Sequence, residues 1–195
     1  MSKMLPIVAY GHPTLRKISR EIDKDYPGLN QLIEDMFDTM YTSIGVGLAA
    51  PQVNKSIRLF IMDATPYAED YPDAKDFKKV FINPKIVEED GKDWVFNEGC
   101  LSIPHIREDI TRKSKVRIQY YDQEFNFHDE TYSGVTGRII QHEYDHLEGI
   151  LFVDKTSPWK KTLLRRKLND ISRGNIEVSY KMIFPEKKKK SAVNH

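Results

Sequence analysis

His142 and His146 stand four residues apart in Gln141-His-Glu-Tyr-Asp-His-Leu-Glu-Gly149, and this spacing constrains the fold more than any other feature of the chain. On a helix at about 100° per residue, Val135, Ile139, His142 and His146 fall within roughly 60° of one another. Residues from about Gly134 to Leu147 therefore read as a helix whose core-facing side carries two imidazoles. Glu143 sits on the flank of that stripe and Tyr144 on the opposite side. Two readings follow. Either hydrogen bonds satisfy two buried histidines and Glu143 is a surface charge, or the imidazoles share a metal ion and Glu143 reaches its water.

A third ligand separates the two. A metzincin layout would place a histidine six residues after His146, but position 152 is Phe. A downstream glutamate would have to be Glu177 or Glu186, in or beside a basic extension with no second helical motif around them. Upstream, Asn97-Glu-Gly-Cys-Leu-Ser-Ile-Pro104 holds the only thiol, Cys100, in a Gly-containing turn between strand-like segments. A lone cysteine can be inert packing, a nucleophile or a ligand. Beside an incomplete two-histidine site, Cys-His-His plus water would be a tetrahedral site with an open position, the catalytic kind. Ile44-Gly-Val-Gly-Leu-Ala-Ala-Pro-Gln52 lacks the Lys and Ser/Thr of a phosphate loop and is as compatible with an ordinary turn. Its Gln52 amide can donate to an oxyanion.

Around these segments, Leu29 to Met40 has the three-four spacing of an amphipathic helix after a Pro27-Gly28 turn. Arg58–Met62 and Val80–Val87 read as strands, with Pro84 marking an edge or a bulge. Asp63–Lys79 has no period and reads as a surface insertion. Val116–Tyr121 and Glu124–Tyr132 form a predicted hairpin through Asp122-Gln123. A third helix starts at Ser157-Pro158 with Trp159, Leu163, Leu164, Leu168 and Ile171 as its stripe. Strands outnumber helices without βαβ alternation, so the class is α+β. Gly137, costly inside a helix, predicts that the metal-site helix starts late or is loose there.

The 195 residues suit one domain. Residues 1–156 read as the catalytic body, and 157–195 as a basic helix and tail extending the same domain. The formal charge of +1 conceals an asymmetry: residues 155–190 hold twelve Lys and Arg against Asp170, Glu177 and Glu186. A balanced chain is not globally a nucleic-acid coat. No apolar run approaches the roughly 20 residues of a membrane span, and the opening stretch, broken by Pro6, is too short for a secretory signal. With one cysteine and no intrachain disulfide, the expected compartment is the cytoplasm.

Three segments in this order resemble the motifs of the peptide deformylases: Gly45-Val-Gly-Leu-Ala-Ala-Pro-Gln52, Glu98-Gly-Cys-Leu-Ser102 and Gln141-His-Glu-Tyr-Asp-His-Leu-Glu-Gly149. Tyr10-Gly-His-Pro-Thr-Leu-Arg-Lys17 is similar to the family's N-terminal segment. The resemblance implies antiparallel or mixed sheets packed around a central helix carrying His-Glu-x-x-His, with a C-terminal helix. It implies hydrolysis of the N-formyl group from the formyl-methionine of new polypeptides, releasing formate, with metal-activated water as nucleophile.

Under it, Cys100, His142 and His146 would bind one divalent ion, Fe(II) in the cell with Ni(II), Co(II) or Zn(II) as substitutes. Glu143 would be general base and then acid, and Gln52 with the Leu101 N–H would hold the oxyanion. Gly47 would pair with the peptide, and Val46, Leu48, Ile139 and His142 would line the methionine pocket bordered by Arg107. The expected partners are formyl-methionyl nascent peptides and, through the basic helix, the ribosome; the expected state is a monomer. Asp145 is either a solvated residue or an acceptor orienting another side chain. A metallopeptidase on the same helix is opposed by Phe152 and the upstream Cys100. A metal-stabilised binding protein is opposed by the presence of Glu143, Gln52 and Cys100 together.

Overall fold

A computed structural model describes residues 3–185. Strand β1 (Ile7–Val8) leads to helix α1 (Leu29–Thr42), which buries Leu29, Ile33, Met36, Phe37 and Met40 at the predicted spacing. Strands β2 (Gly47–Ala49), β3 (Leu59–Asp63), β4 (Lys78–Cys100), β5 (Ile103–Tyr121) and β6 (Phe127–Ser133) pair antiparallel in chain order as one sheet. Helix α2 (Gly134–Leu147) packs against β2, β3, β5 and β6, and helix α3 (Pro158–Arg173) against β5. Strand β7 (Met182–Ile183) returns to pair in parallel with β1. The architecture is α+β, with the His-Glu-x-x-His helix at its centre and a helix towards the C-terminus, as expected.

Strands β4 and β5 have 23 and 19 residues, against the usual roughly 3–10. Register shifts at Ile82/Lys85, Ile86/Glu88, Asp90/Asp93 and Gly99/Cys100 interrupt the ladder. Pro84 falls in the first shift and Gly91, with φ 84°, in the third. Each extra residue bends the strand. The near half of the hairpin joins the sheet, and the far half continues as a two-stranded arm that delivers Glu98 and Cys100 to α2. Hydrophobic periodicity misses this arm because Glu88–Asp93 is almost wholly charged. Its ladder is charge-complementary instead: Glu88 faces Arg117, Asp90 faces Lys115, and Asp93 pairs with Lys113 at 2.9 Å.

Four expectations change. The hairpin turn runs to Asn126, because Asp122 Oδ1 accepts the N–H of Glu124 and of Asn126 at 3.0 and 2.9 Å, so β6 starts at Phe127. Asp63–Lys79 is not a detached insertion: its ends lie in β3 and β4, Ala64 and Ala74 are buried, and Tyr67, Tyr71 and Phe77 pack on the core. Helix α2 starts at Gly134 and stays regular through Gly137, where a Cβ would meet the Tyr132 carbonyl oxygen at 3.1 Å. Close packing on β6 explains that glycine. On α3 only Leu164, Leu168 and Ile171 are buried, while Trp159 is 70% and Leu163 59% exposed. The latter two lie roughly 80° or more around the helix from the docked sector.

Candidate active site

Cys100 is the last residue of β4, and the two-residue turn Leu101-Ser102 follows it. Helix α2 presents His142 and His146 to the thiol, with Cys100 Sγ 3.4 Å from His146 Nε2. One ligand atom from each of the three residues lies within 4.8 Å of the others. Gln52 accepts the Ala49 N–H on Oε1 at 2.9 Å, which turns its amide nitrogen inward, 3.3 Å from Cys100 Sγ and 3.3 Å from Ser102 Oγ.

Glu98 organises the site from behind. Its Oε1 accepts from Arg112 Nε at 2.7 Å and Arg138 Nη1 at 3.0 Å; its Oε2 accepts from Arg112 Nη2 at 3.0 Å and His142 Nδ1 at 2.9 Å. Burial alone would raise the Glu98 pKa, but the bonds from His142 and Arg112 outweigh it and hold the carboxyl well below its usual range. With Nδ1 engaged, His142 has only Nε2 free for a ligand. Burial also opposes a charged His142, yet Cys100, Glu98 and Glu143 together favour positive charge on it. His146, buried beside His142 and Arg112, is held neutral. One cysteine sulfur and two imidazole nitrogens this close together form a donor set that fits one metal ion.

Glu143 is buried, and burial, reinforced by the charge of Glu98, pushes its pKa up to about 7 against the opposing pull of His142. Its Oε2 has no hydrogen-bond partner among the described residues. Gly47 makes room for it, because a Cβ there would collide with the carboxylate, reaching Cδ at 2.7 Å. Asp145 accepts from Arg112 Nη1 at 2.6 Å, so it takes the orienting role rather than the solvated one.

A cleft of about 380 Å³ opens over these groups. Val46, Gly47, Gln52, Leu101, Arg107, Ile139, His142 and Glu143 line it. Leu48 does not. It precedes the turn of Ala50–Val53, and its side chain is fully buried in the core formed by α1 and β3. Arg107 is fixed at the rim by Nε donating to Asn97 Oδ1 at 2.8 Å and Nη2 to the Asn97 carbonyl at 2.5 Å. Phe152, at the position where a metzincin ligand would stand, is buried and stacks on His142 at 6.0 Å between centroids. Glu177 offers its carbonyl to His105, and Glu186 lies outside the described residues.

The structure adds groups the sequence did not single out. Arg138 and Arg112 hold Glu98, and Arg138 stacks over Trp94 at 4.9 Å. The one available signal for Arg138 was its place one turn before His142. Tyr67, Phe96 and Tyr180 join the cleft lining from distant segments.

A family model described as polypeptide deformylase matches residues 4–162. A peptide deformylase of Christiangramia forsetii is 54% identical over 193 residues, covering 95% of this chain and 98% of the relative. One from Flavobacterium johnsoniae is 51% identical with the same coverage of both chains. Among solved structures, a Legionella pneumophila peptide deformylase superposes with a TM-score of 0.77 at 38% identity, over 89% of this chain and 98% of that one. A Met-Ala-Ser-bound peptide deformylase of Acinetobacter baumannii gives 0.74 at 36% identity, over 80% and 100%.

Proposed function

The chain belongs to the polypeptide deformylase family, and on that footing we propose how its own residues carry out the family's reaction. It is a hydrolase that removes the formyl group from nascent peptides. Cys100, His142 and His146 would hold the single metal ion, Fe(II) in the cell, replaceable by Ni(II), Co(II) or Zn(II). When bound, the ion supplies Lewis acidity that brings the pKa of water towards neutrality.

Glu143 takes the proton of the attacking water as its oxygen bonds to the formyl carbon. The same carboxyl returns that proton to the departing amine as the C–N bond breaks, leaving formate and a free N-terminus. Gln52 Nε2 and the Leu101 N–H donate to the formyl oxygen as it gains charge. Strand β2 is at the sheet edge, so Gly47 can pair its backbone with an extended peptide. The methionine side chain enters beside Val46, Ile139 and His142, with Arg107 at the rim. The Acinetobacter enzyme binds Met-Ala-Ser, which supports a peptide beginning with Met as the class of ligand.

One observation carries the reading: three ligand atoms within 4.8 Å of one another, two of them from residues lining a cleft that the Glu143 carboxylate and the Gln52 amide also line. The test is formate release from a formyl-Met peptide by protein purified without oxygen and loaded with Fe(II) or Ni(II). Turnover should vanish in Glu143→Ala while the metal stays bound. A metal-loaded wild type that releases no formate overturns it.

Residues 157–195 are part of the same proposal, as an extension of the body in residues 1–156. Supporting this, Leu164, Leu168 and Ile171 pack in one core cluster with Val8, Ala9 and Leu15. Lys160 is taken by Glu108 at 2.7 Å, but Lys161, Arg165, Arg166 and Lys167 are exposed around the docked stripe and offer positive charge to ribosomal RNA phosphates. The run Lys187–Lys190 lies outside the described residues. No described helix is long and apolar enough to cross a membrane, and the proposed working state is a cytoplasmic monomer. Unchanged co-sedimentation with ribosomes at low salt after Arg165→Glu and Arg166→Glu would sink the RNA contact.

A further inference from the structure

The turn Leu101-Ser102 is held from outside its own hairpin, by both ends of the chain. The Ser102 carbonyl accepts the Tyr10 N–H at 2.8 Å, and the Leu101 carbonyl accepts the Tyr180 hydroxyl at 2.7 Å. Tyr10 lies two residues after β1 and Tyr180 two residues before β7. These strands pair Ile7 with Met182 and Val8 with Ile183, flanked by Ile7 N–H to the Lys181 carbonyl at 2.9 Å and Ala9 N–H to the Ile183 carbonyl at 2.8 Å. His105 Nε2 meets the Glu177 carbonyl at 2.8 Å, tying down the approach to Tyr180. The Leu101 side chain packs so close to Gly45 that a Cβ there would lie 2.9 Å from it. Tyr180 lines the catalytic cleft and packs on the same core as Leu101.

We propose that the parallel sheet made by the two chain ends clamps this turn, and that Tyr180 is the positioning residue on its C-terminal side. A hydrogen-bond donor stabilises developing charge only when its direction is fixed before the charge appears. Hairpin turns are otherwise among the softest backbone of a fold. Holding the Leu101 carbonyl restricts rotation about that residue and so aims its N–H. The kinetic consequence rests on Leu101 being an oxyanion donor, as proposed above; the clamp itself does not.

Tyr180→Phe tests both parts, because it keeps the ring and removes one hydroxyl. In the metal-loaded enzyme kcat on a formyl-Met peptide should fall about five- to tenfold, the size of one lost hydrogen bond, with KM within about twofold. Hydrogen–deuterium exchange of the peptide spanning residues 98–103 should quicken by about the same factor while that of α1 does not change. Exchange at the wild-type rate overturns the clamp, and unchanged kcat overturns the positioning role. If the wild type releases no formate, the deformylase reading fails, and the exchange result still decides the clamp.

Discussion

Glu98 on β4 and Glu130 on β6 each gather several donors, yet they do different work. The Glu98 side chain is 3% exposed, and its two oxygens share four bonds from two arginines and a histidine. The Glu130 side chain is 38% exposed, and one oxygen, Oε2, takes Lys79 at 3.0 Å, the Tyr120 hydroxyl at 2.5 Å and the Tyr132 hydroxyl. The number of partners hardly differs. What differs is where those partners would turn if the carboxylate were gone. Lys79 and Tyr132 are partly exposed and have water at hand, although Tyr120 is buried. Arg112 and Arg138 are buried and do not, so Glu98 can fix the direction of His142 whereas Glu130 secures only a strand pair.

The sharpest break of that comparison is Glu98→Ala. It leaves buried Arg138 with no carboxylate and buried Arg112 with Asp145 alone, and breaking a buried ion pair costs on the order of 3–5 kcal/mol. His142 also loses its Nδ1 acceptor, for which a loss of about 10- to 100-fold in metal affinity is expected. Urea unfolding of the purified protein and metal titration read the two effects separately. A variant as stable as the wild type would mean that the Glu98 network is dispensable.

How visible these regions were from sequence follows the same division. The three helices were legible because their residues repeat at three and four, and because Ser157-Pro158 supplies a cap and a first turn that the structure retains, with Ser157 Oγ accepting the Lys160 N–H at 3.3 Å. Cys100, His142 and His146 were legible as types that share a chemistry, and the fold brings them together. Which arginine faces Glu98 was not legible, since Arg112 and Arg138 lie 14 and 40 residues away and no local pattern encodes that meeting. The resemblance assigns Leu48 to the pocket, and its side chain instead fills the core beside α1 and β3. Tyr180 gave no signal, lying in a segment without period that becomes ordered by pairing with β1.

Asp145→Asn sharpens the comparison from inside the buried network. Arg112 keeps both bonds to Glu98 but loses a charged acceptor at 2.6 Å, and Lys155 Nζ loses one at 3.3 Å. Weakening a charge-assisted bond while leaving a neutral acceptor should cost about 1–2 kcal/mol. Metal affinity should change by less than in Glu98→Ala, because His142 keeps its partner. Equal losses in the two variants would show that Arg112, rather than His142, is what Glu98 principally serves.

The smallest effect belongs to Glu130→Gln, and its pH dependence is the informative part. Burial would raise the Glu130 pKa, but Tyr120, Tyr132 and Lys79 outweigh it and bring the pKa down from 4.5 to about 2 in the folded protein. A folded pKa below the unfolded one gives stability that is present above about 4.5 and fades as pH falls towards 2. At neutral pH the variant should therefore be less stable, though by less than about 1 kcal/mol for so exposed a group. Below pH 4.5 the gap should narrow, because a protonated Glu130 holds Lys79 no better than glutamine does. Urea midpoints for both proteins at pH 7, 5 and 3.5 would show this. A gap that widened in acid, or that exceeded the loss in Asp145→Asn, would mean that Glu130 is as dependent on its partners as Glu98, and exposure would no longer separate the two carboxylates.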